Sequence, residues 1–282
     1  MKLTRQEYLG WKTKRVTLLG MSGVGKTTLA SLLPWDQWFH YSGDYRVGTR
    51  YLDEAILDHV KLMAMQHPYL RAQLRSDSIY IRNNITVNNL GPITGFLGKI
   101  GNPDLGGLEV AEFKRRQRLF RDAEVGAMRD VDAFIERGLG VYGYPHFVND
   151  AGGSICGLSD AECWDRLSAS TLVLYLRADE DMEETLIERA RRHPKPMHYE
   201  EPFLDRNLEE YLRDNRLESA LEVDPDAFVQ WIFPRLLSWR RSHYERIAGH
   251  FGHTANAGDI ATLRDEADFT EFVCAAIDAT PA

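Results

Sequence analysis

Nine consecutive residues have the types and spacing to do chemistry on a polyphosphate: Gly20-Met21-Ser22-Gly23-Val24-Gly25-Lys26-Thr27-Thr28. They satisfy the pattern G-x-x-x-x-G-K-[ST] at every fixed position. The glycines let the backbone curl so that successive N–H groups converge on phosphate oxygens. A helix beginning at the end of the loop adds partial positive charge. Lys26 would reach the β- and γ-phosphates, and the Thr27 hydroxyl would ligate Mg²⁺. The expected ligands of ATP with Mg²⁺ are therefore Gly20, Ser22, Gly23, Val24, Gly25, Lys26, Thr27 and Thr28.

Further candidates stand where short apolar runs end. Asp44 follows Phe39-His40-Tyr41 and could accept the proton of a substrate hydroxyl, although an aspartate in Ser-Gly-Asp also closes a turn. Arg46 could clamp an anionic group on the same substrate. Asp150 ends Phe147-Val148-Asn149 and is placed for a second Mg²⁺-associated carboxylate. Gly152 and Gly153 behind it permit close approach of backbone to ligand. Arg189, Arg191, Arg192 and Lys195 surround the break at Pro194-Lys195-Pro196. From that basic segment, Arg192 is the choice for a lid arginine that stabilises transition-state charge.

These residues need a scaffold that brings strand ends together. Arg15–Leu19 reads as a buried strand before the loop, with an apolar helix over Thr28–Leu33 after it. Gln37–Tyr41, Tyr144–Asn149 and Thr171–Leu176 read as further strands, the last an uninterrupted apolar run of the kind found inside parallel sheets. Ser78–Ile81 is a possible strand and His253–Asn256 an edge strand. Helical spacing marks 49–66, a turn or two from Pro68, 109–137, a segment capped by Ser159 and ending at Leu167, 180–193, 204–217, 225–249 with a kink or restart at Pro234, and 263–277. Strand and helix alternate, so a parallel sheet covered on both faces follows, with ligands beyond the carboxyl ends of its strands.

The order of these pieces resembles the shikimate kinase family of small phosphate-loop kinases, with kinship to gluconate and adenylylsulfate kinases. Phe120-Arg121-Asp122-Ala123-Glu124 with Met128 is similar to that family's F-R-x-x-E-x-x-x-L helix, whose arginine grips the substrate carboxylate. Phe147 to Gly153 is similar to its V-I-A-T-G-G-G strand end, and Asp44-Tyr45-Arg46-Val47 to its D-x-x-I, whose aspartate is the base. Glu188-Arg189 and Arg192 to Pro196 resemble its lid, and Arg241 to Ala248 its R-x-x-x-Y-x-x-x-A helix. The resemblance implies a P-loop NTPase fold of the nucleoside- and shikimate-kinase type: a three-layer α/β sandwich with a parallel sheet, a helical insertion and a lid. It implies one domain over 1–282, with an insertion at 51–118 for acceptor or partner and a lid at about 189–205. It also implies Arg121 as substrate anchor. Three departures keep the substrate itself from being carried over. The insertion fills the usual substrate-binding segment, Ser42 replaces the first acid of the family's D-x-D, and Asp150 stands where the family has a small hydroxyl residue.

Composition narrows the function classes. The 282 residues carry 34 basic and 42 acidic side chains, a net charge of −8, which argues against a general nucleic-acid-binding surface. The run Lys114-Arg115-Arg116-Gln117-Arg118 reads first as a solvated helix face. Asn83, Asn84, Asn88 and Asn89 suit either a polar ligand or turn closure. Cys156, Cys163 and Cys274 lack metal-ligand spacing and read as free thiols in a reducing compartment. Neither a signal-peptide core nor a run of about 18 apolar residues is present, so the expectation is a cytoplasmic protein without membrane contact. The pattern leaves three readings: an ATP- and Mg²⁺-dependent kinase of a small hydroxylated, anionic acceptor, an ATPase with a regulatory or protein partner, or a kinase of RNA or nucleotides. Oligomeric state is left open.

Overall fold

Five parallel strands form one sheet in the order β2-β3-β1-β4-β5, in a computed structural model that describes residues 1–157 and 161–279. The strands are β1 (Arg15–Leu19), β2 (Trp38–Ser42), β3 (His146–Asp150), β4 (Leu172–Arg177) and β5 (Gly252–Asn256). Consecutive residues Leu172 to Leu176 of β4 are all buried, as are Val16 to Leu19 of β1. Side chains on a strand alternate between faces, so burial of every position means that both faces are covered by helices. Each fully buried leucine or valine stabilises the sheet by about 1.5–3 kcal/mol. The fold is the three-layer α/β class with a phosphate-loop segment between β1 and its following helix.

The chain divides into two compact units. The first comprises Met1–Gly43, Glu124–Pro194 and Asp226–Ala282, and holds the sheet. Short-range signals decide much of it. Thr4 caps the Arg5–Gly10 helix and Glu7 returns the bond, a reciprocal capping box. The Pro225–Phe251 helix runs unbroken through Pro234 rather than restarting there. The Ala161–Ser170 helix matches the expected segment, but Ser159, its expected cap, lies outside the described residues. Trp38, completely buried, donates its indole N–H to Glu266 at 2.8 Å and meets Phe269 edge-on, which satisfies the one polar atom of that large side chain.

The second unit comprises Asp44–Ala123 and Lys195–Pro225. Its helices are Asp53–Ala64, Pro68–Arg75, Gly91–Leu97, Glu201–Asn215 and the part of Val110–Arg129 up to Ala123. Ser78–Ile81 is not a strand: the segment is irregular, and its continuation makes a single bridge between Thr86 and Asn89. The expected helix over 109–137 is two, Val110–Arg129 and Val131–Gly140. Two of the asparagines bond protein groups: Asn83 donates to Asp53, 30 residues away, and Asn89 closes a turn on the Asn84 carbonyl.

The basic run of this unit is neutralised by neighbours. Lys114 pairs with Asp205 at 2.6 Å, Arg118 with Glu201 at 2.8 Å, and Arg115 with Glu112 at 2.7 Å. Arg116 is buried, bonding Glu112 and the Phe96 carbonyl, with its guanidinium 5.0 Å from the Phe96 ring centre. A charge so placed is a strut of the unit rather than a solvated face.

Candidate functional site

The loop between β1 and the Lys26–Ser31 helix has the backbone its glycines permit. Gly20, Gly23 and Gly25 have φ of 146°, 92° and 95°, in the region that side chains avoid. Space excludes side chains as well. A Cβ at Gly20 would lie 2.9 Å from both the Leu176 carbonyl oxygen and the Val24 side chain.

Lys26 is buried, with Nζ 2.8 Å from the Gly20 carbonyl and 3.1 Å from that of Met21. Its ammonium therefore rests against the loop that would hold the phosphates. Thr27 is exposed and donates its hydroxyl to Asp150 Oδ2 at 2.6 Å.

Strand register brings Asp150 there. In the parallel ladders Asp150 lies opposite Leu18 of β1 and Ser42 of β2, so the acid stands at the carboxyl edge beside the loop. A hydroxyl and a carboxylate are hard oxygen donors, the kind Mg²⁺ takes, so the pair fits the expected metal. Among the described residues no cluster of three or more His, Cys, Asp or Glu could hold a metal by itself.

The chain after β3 turns back against the loop. A Cβ at Gly153 would lie 2.8 Å from the Ser22 backbone nitrogen. Arg240, buried, donates to the Gly153 carbonyl at 2.9 Å, and Ser154 donates to Glu124 at 2.6 Å. Tyr244, also buried, donates to the Gly20 carbonyl at 3.3 Å. The loop is thus braced from behind by the Pro225–Phe251 helix and by the segment after β3.

Between Arg189 and Arg192, the residue placed against the loop is Arg189. A side chain at Gly23 would collide with the Arg189 guanidinium, and Arg189 lines a depression of about 420 Å³ with Gly23, Asp179, Met182 and Leu186. Arg192 lies one turn further on, 71% exposed, and binds Glu188 at 2.7 Å. The two arginines share one helix, so the sequence alone did not separate them. Their contacts do: Arg189 meets Gly23, whereas Arg192 turns to Glu188.

Asp44, Arg46 and Arg121 belong to the second unit. Asp44 is half-buried in the one-turn helix Gly43–Arg46. Arg46 lies over the Tyr51 ring at 5.9 Å. Arg121 is exposed and pairs with Asp122 at 2.9 Å. Sequence reasoning gave no role to Tyr244, Arg240 or Glu124. Tyr244 stands four residues after Arg240, the spacing of R-x-x-x-Y, which Arg241 at three residues does not keep; that spacing was the available signal for both.

Sheet order, loop geometry and the Thr27–Asp150 contact define an α/β protein of the phosphate-loop class. No family model matches the chain, and no curated protein does. Among solved structures, it is similar to a shikimate kinase from Bacteroides thetaiotaomicron at 13% identity and a TM-score of 0.36, over 92% of this chain and 94% of that one. So distant a likeness carries no argument about activity. No helix among the described residues is long and apolar enough to cross a membrane.

Proposed function

We propose that this chain binds ATP with Mg²⁺ on the Gly20–Thr28 loop and transfers the terminal phosphoryl group to a small hydroxylated, anionic acceptor. The observation that carries the reading is the joint placement of Lys26, Thr27 and Asp150 at one strand edge, with Thr27 Oγ1 2.6 Å from Asp150. Loop amides from Ser22 to Thr28 would bind the phosphate tail, and Lys26 would move from its carbonyls to the β- and γ-phosphates. Thr27 and Asp150 would hold Mg²⁺, which supplies charge neutralisation on the phosphate oxygens when bound. In the transfer the bond between the γ-phosphorus and its bridging oxygen breaks, and one to the acceptor oxygen forms. Asp44 would take the acceptor's proton as that bond forms. Arg46, Arg121, Gly152 and Gly153 would orient the acceptor, with the 51–118 segment shaping its pocket and the segment at about 189–205 serving as lid. Arg189, rather than the expected Arg192, would serve as the lid arginine, on the strength of its position against Gly23.

Incubating the protein with Mg²⁺-ATP and a metabolite extract, and reading mass gains of one phosphate, tests this reading. A phosphorylated product that disappears in Lys26→Ala and Asp44→Ala supports it. Brisk ADP release with no acceptor, unchanged in Asp44→Ala, would assign the chain to the ATPases instead.

A further inference from the structure

Two loop carbonyls hold the Lys26 ammonium at rest, and each has a second donor in place. The Gly20 oxygen takes Lys26 at 2.8 Å and the Tyr244 hydroxyl at 3.3 Å. The Met21 oxygen takes Lys26 at 3.1 Å and the Val24 amide at 3.4 Å. Both second bonds are long, with room to shorten to ordinary length. Buried carbonyls left without a donor are costly, and any movement of Lys26 toward a phosphate strips one donor from each.

Tyr244 is built to remain a donor. It is fully buried, stacked on Tyr175 at 5.1 Å between ring centres and 14° between planes. Burial raises its hydroxyl well above the ordinary tyrosine value. The buried Cys156 thiol is likewise pushed up, by burial, to about 12. Both groups therefore keep their protons across the physiological range, so the Tyr244 O–H stays available to the Gly20 carbonyl.

We infer that Tyr244 is a positioning residue for the phosphate loop: it takes over the Gly20 carbonyl when Lys26 leaves for the phosphates of a bound nucleotide. The Val24 amide does the same for Met21. The loop then keeps one shape in both states, and the lysine moves without stranding the oxygens behind it. This rests on the nucleotide reading above.

The test is a double-mutant cycle of Tyr244→Phe and Lys26→Met. Calorimetry with Mg²⁺-ATP and urea unfolding without nucleotide are both measured. In the lysine protein, Tyr244→Phe should weaken ATP binding about tenfold, because the bound state alone loses the Gly20 donor. In the Lys26→Met protein, where Tyr244 is the donor already, the same change should lower the urea midpoint by more than it does beside Lys26. Equal loss of midpoint in both backgrounds, with ATP affinity unmoved, would make Tyr244 a packing residue and overturn the inference. Failure of the unsubstituted protein to bind ATP is a separate result, and it removes the nucleotide reading itself.

Discussion

Gly153→Ala should loosen the grip on nucleotide while leaving the chain folded. The new methyl would lie 2.8 Å from the Ser22 nitrogen and 3.2 Å from Ser22 Cβ. An ordinary contact is about 3.5 Å or more, so Ser22 must retreat by roughly 0.5–0.7 Å, or the Gly153 segment must. That segment is held by Arg240 on the Gly153 carbonyl and by Ser154 on Glu124, so the loop is the side that yields. A misplacement of about 1 Å at a reacting site costs about 100-fold, so half that distance implies about tenfold, or about 1.4 kcal/mol in nucleotide affinity. Overpacking should cost about 1–2 kcal/mol of stability. The backbone adds no strain of its own, since Gly153 is not among the described residues of positive φ. Calorimetry with Mg²⁺-ATP and urea unfolding read the two quantities. Gly249→Ala is the control: nothing lies within 4 Å of its Cβ position, in an exposed stretch of helix, and it should gain about 0.5–1 kcal/mol without touching affinity. Unchanged ATP affinity in Gly153→Ala, at near-normal stability, would refute the view that the segment after β3 sets the shape of the loop.

Two further outcomes follow from local geometry. Arg189→Ala should weaken ATP binding about tenfold through loss of a charged donor over Gly23, whereas Arg192→Ala should stay within about twofold; equal effects would return the lid role to both. In the second unit, Arg115 and then Arg116 hold the Glu112 carboxyl down at about 2, against the opposing effect of burial. A depressed carboxylate contributes stability above its unfolded value, about 4.5, and loses it as pH falls toward 2. Glu112→Gln should therefore cost on the order of 1 kcal/mol at pH 6, the pair being partly screened by solvent, with the gap to the unsubstituted protein closing between pH 4.5 and 2. A gap in the urea midpoint that persists at pH 2 would show that the charge on Glu112 is not its source.

Elements defined by neighbours along the chain were readable without coordinates. The apolar run Arg15–Leu19, the glycines that follow, and the unbroken apolar stretch of β4 act over a few residues, so composition and spacing suffice. The fold class follows from their alternation. Where local signals were weak, tertiary packing decided. Ser78–Ile81 has strand composition but no ladder, because residues of β type pair only when a partner edge is available. Lys114–Arg118 looked like a solvated stripe, yet Arg116 is interior because Glu112 and the Phe96 carbonyl compensate its burial.

What the order of amino acids determined by itself is a curled loop with one lysine and one threonine, set between a strand and a helix. What only the tertiary structure decided is which distant groups meet that loop. Thr27 and Asp150 are 123 residues apart, and Gly20 and Tyr244 are 224 apart. Glycine's freedom and apolar runs are properties of the local chain. The meeting of an acid, a tyrosine and a loop depends on sheet register and helix packing, which no short stretch encodes.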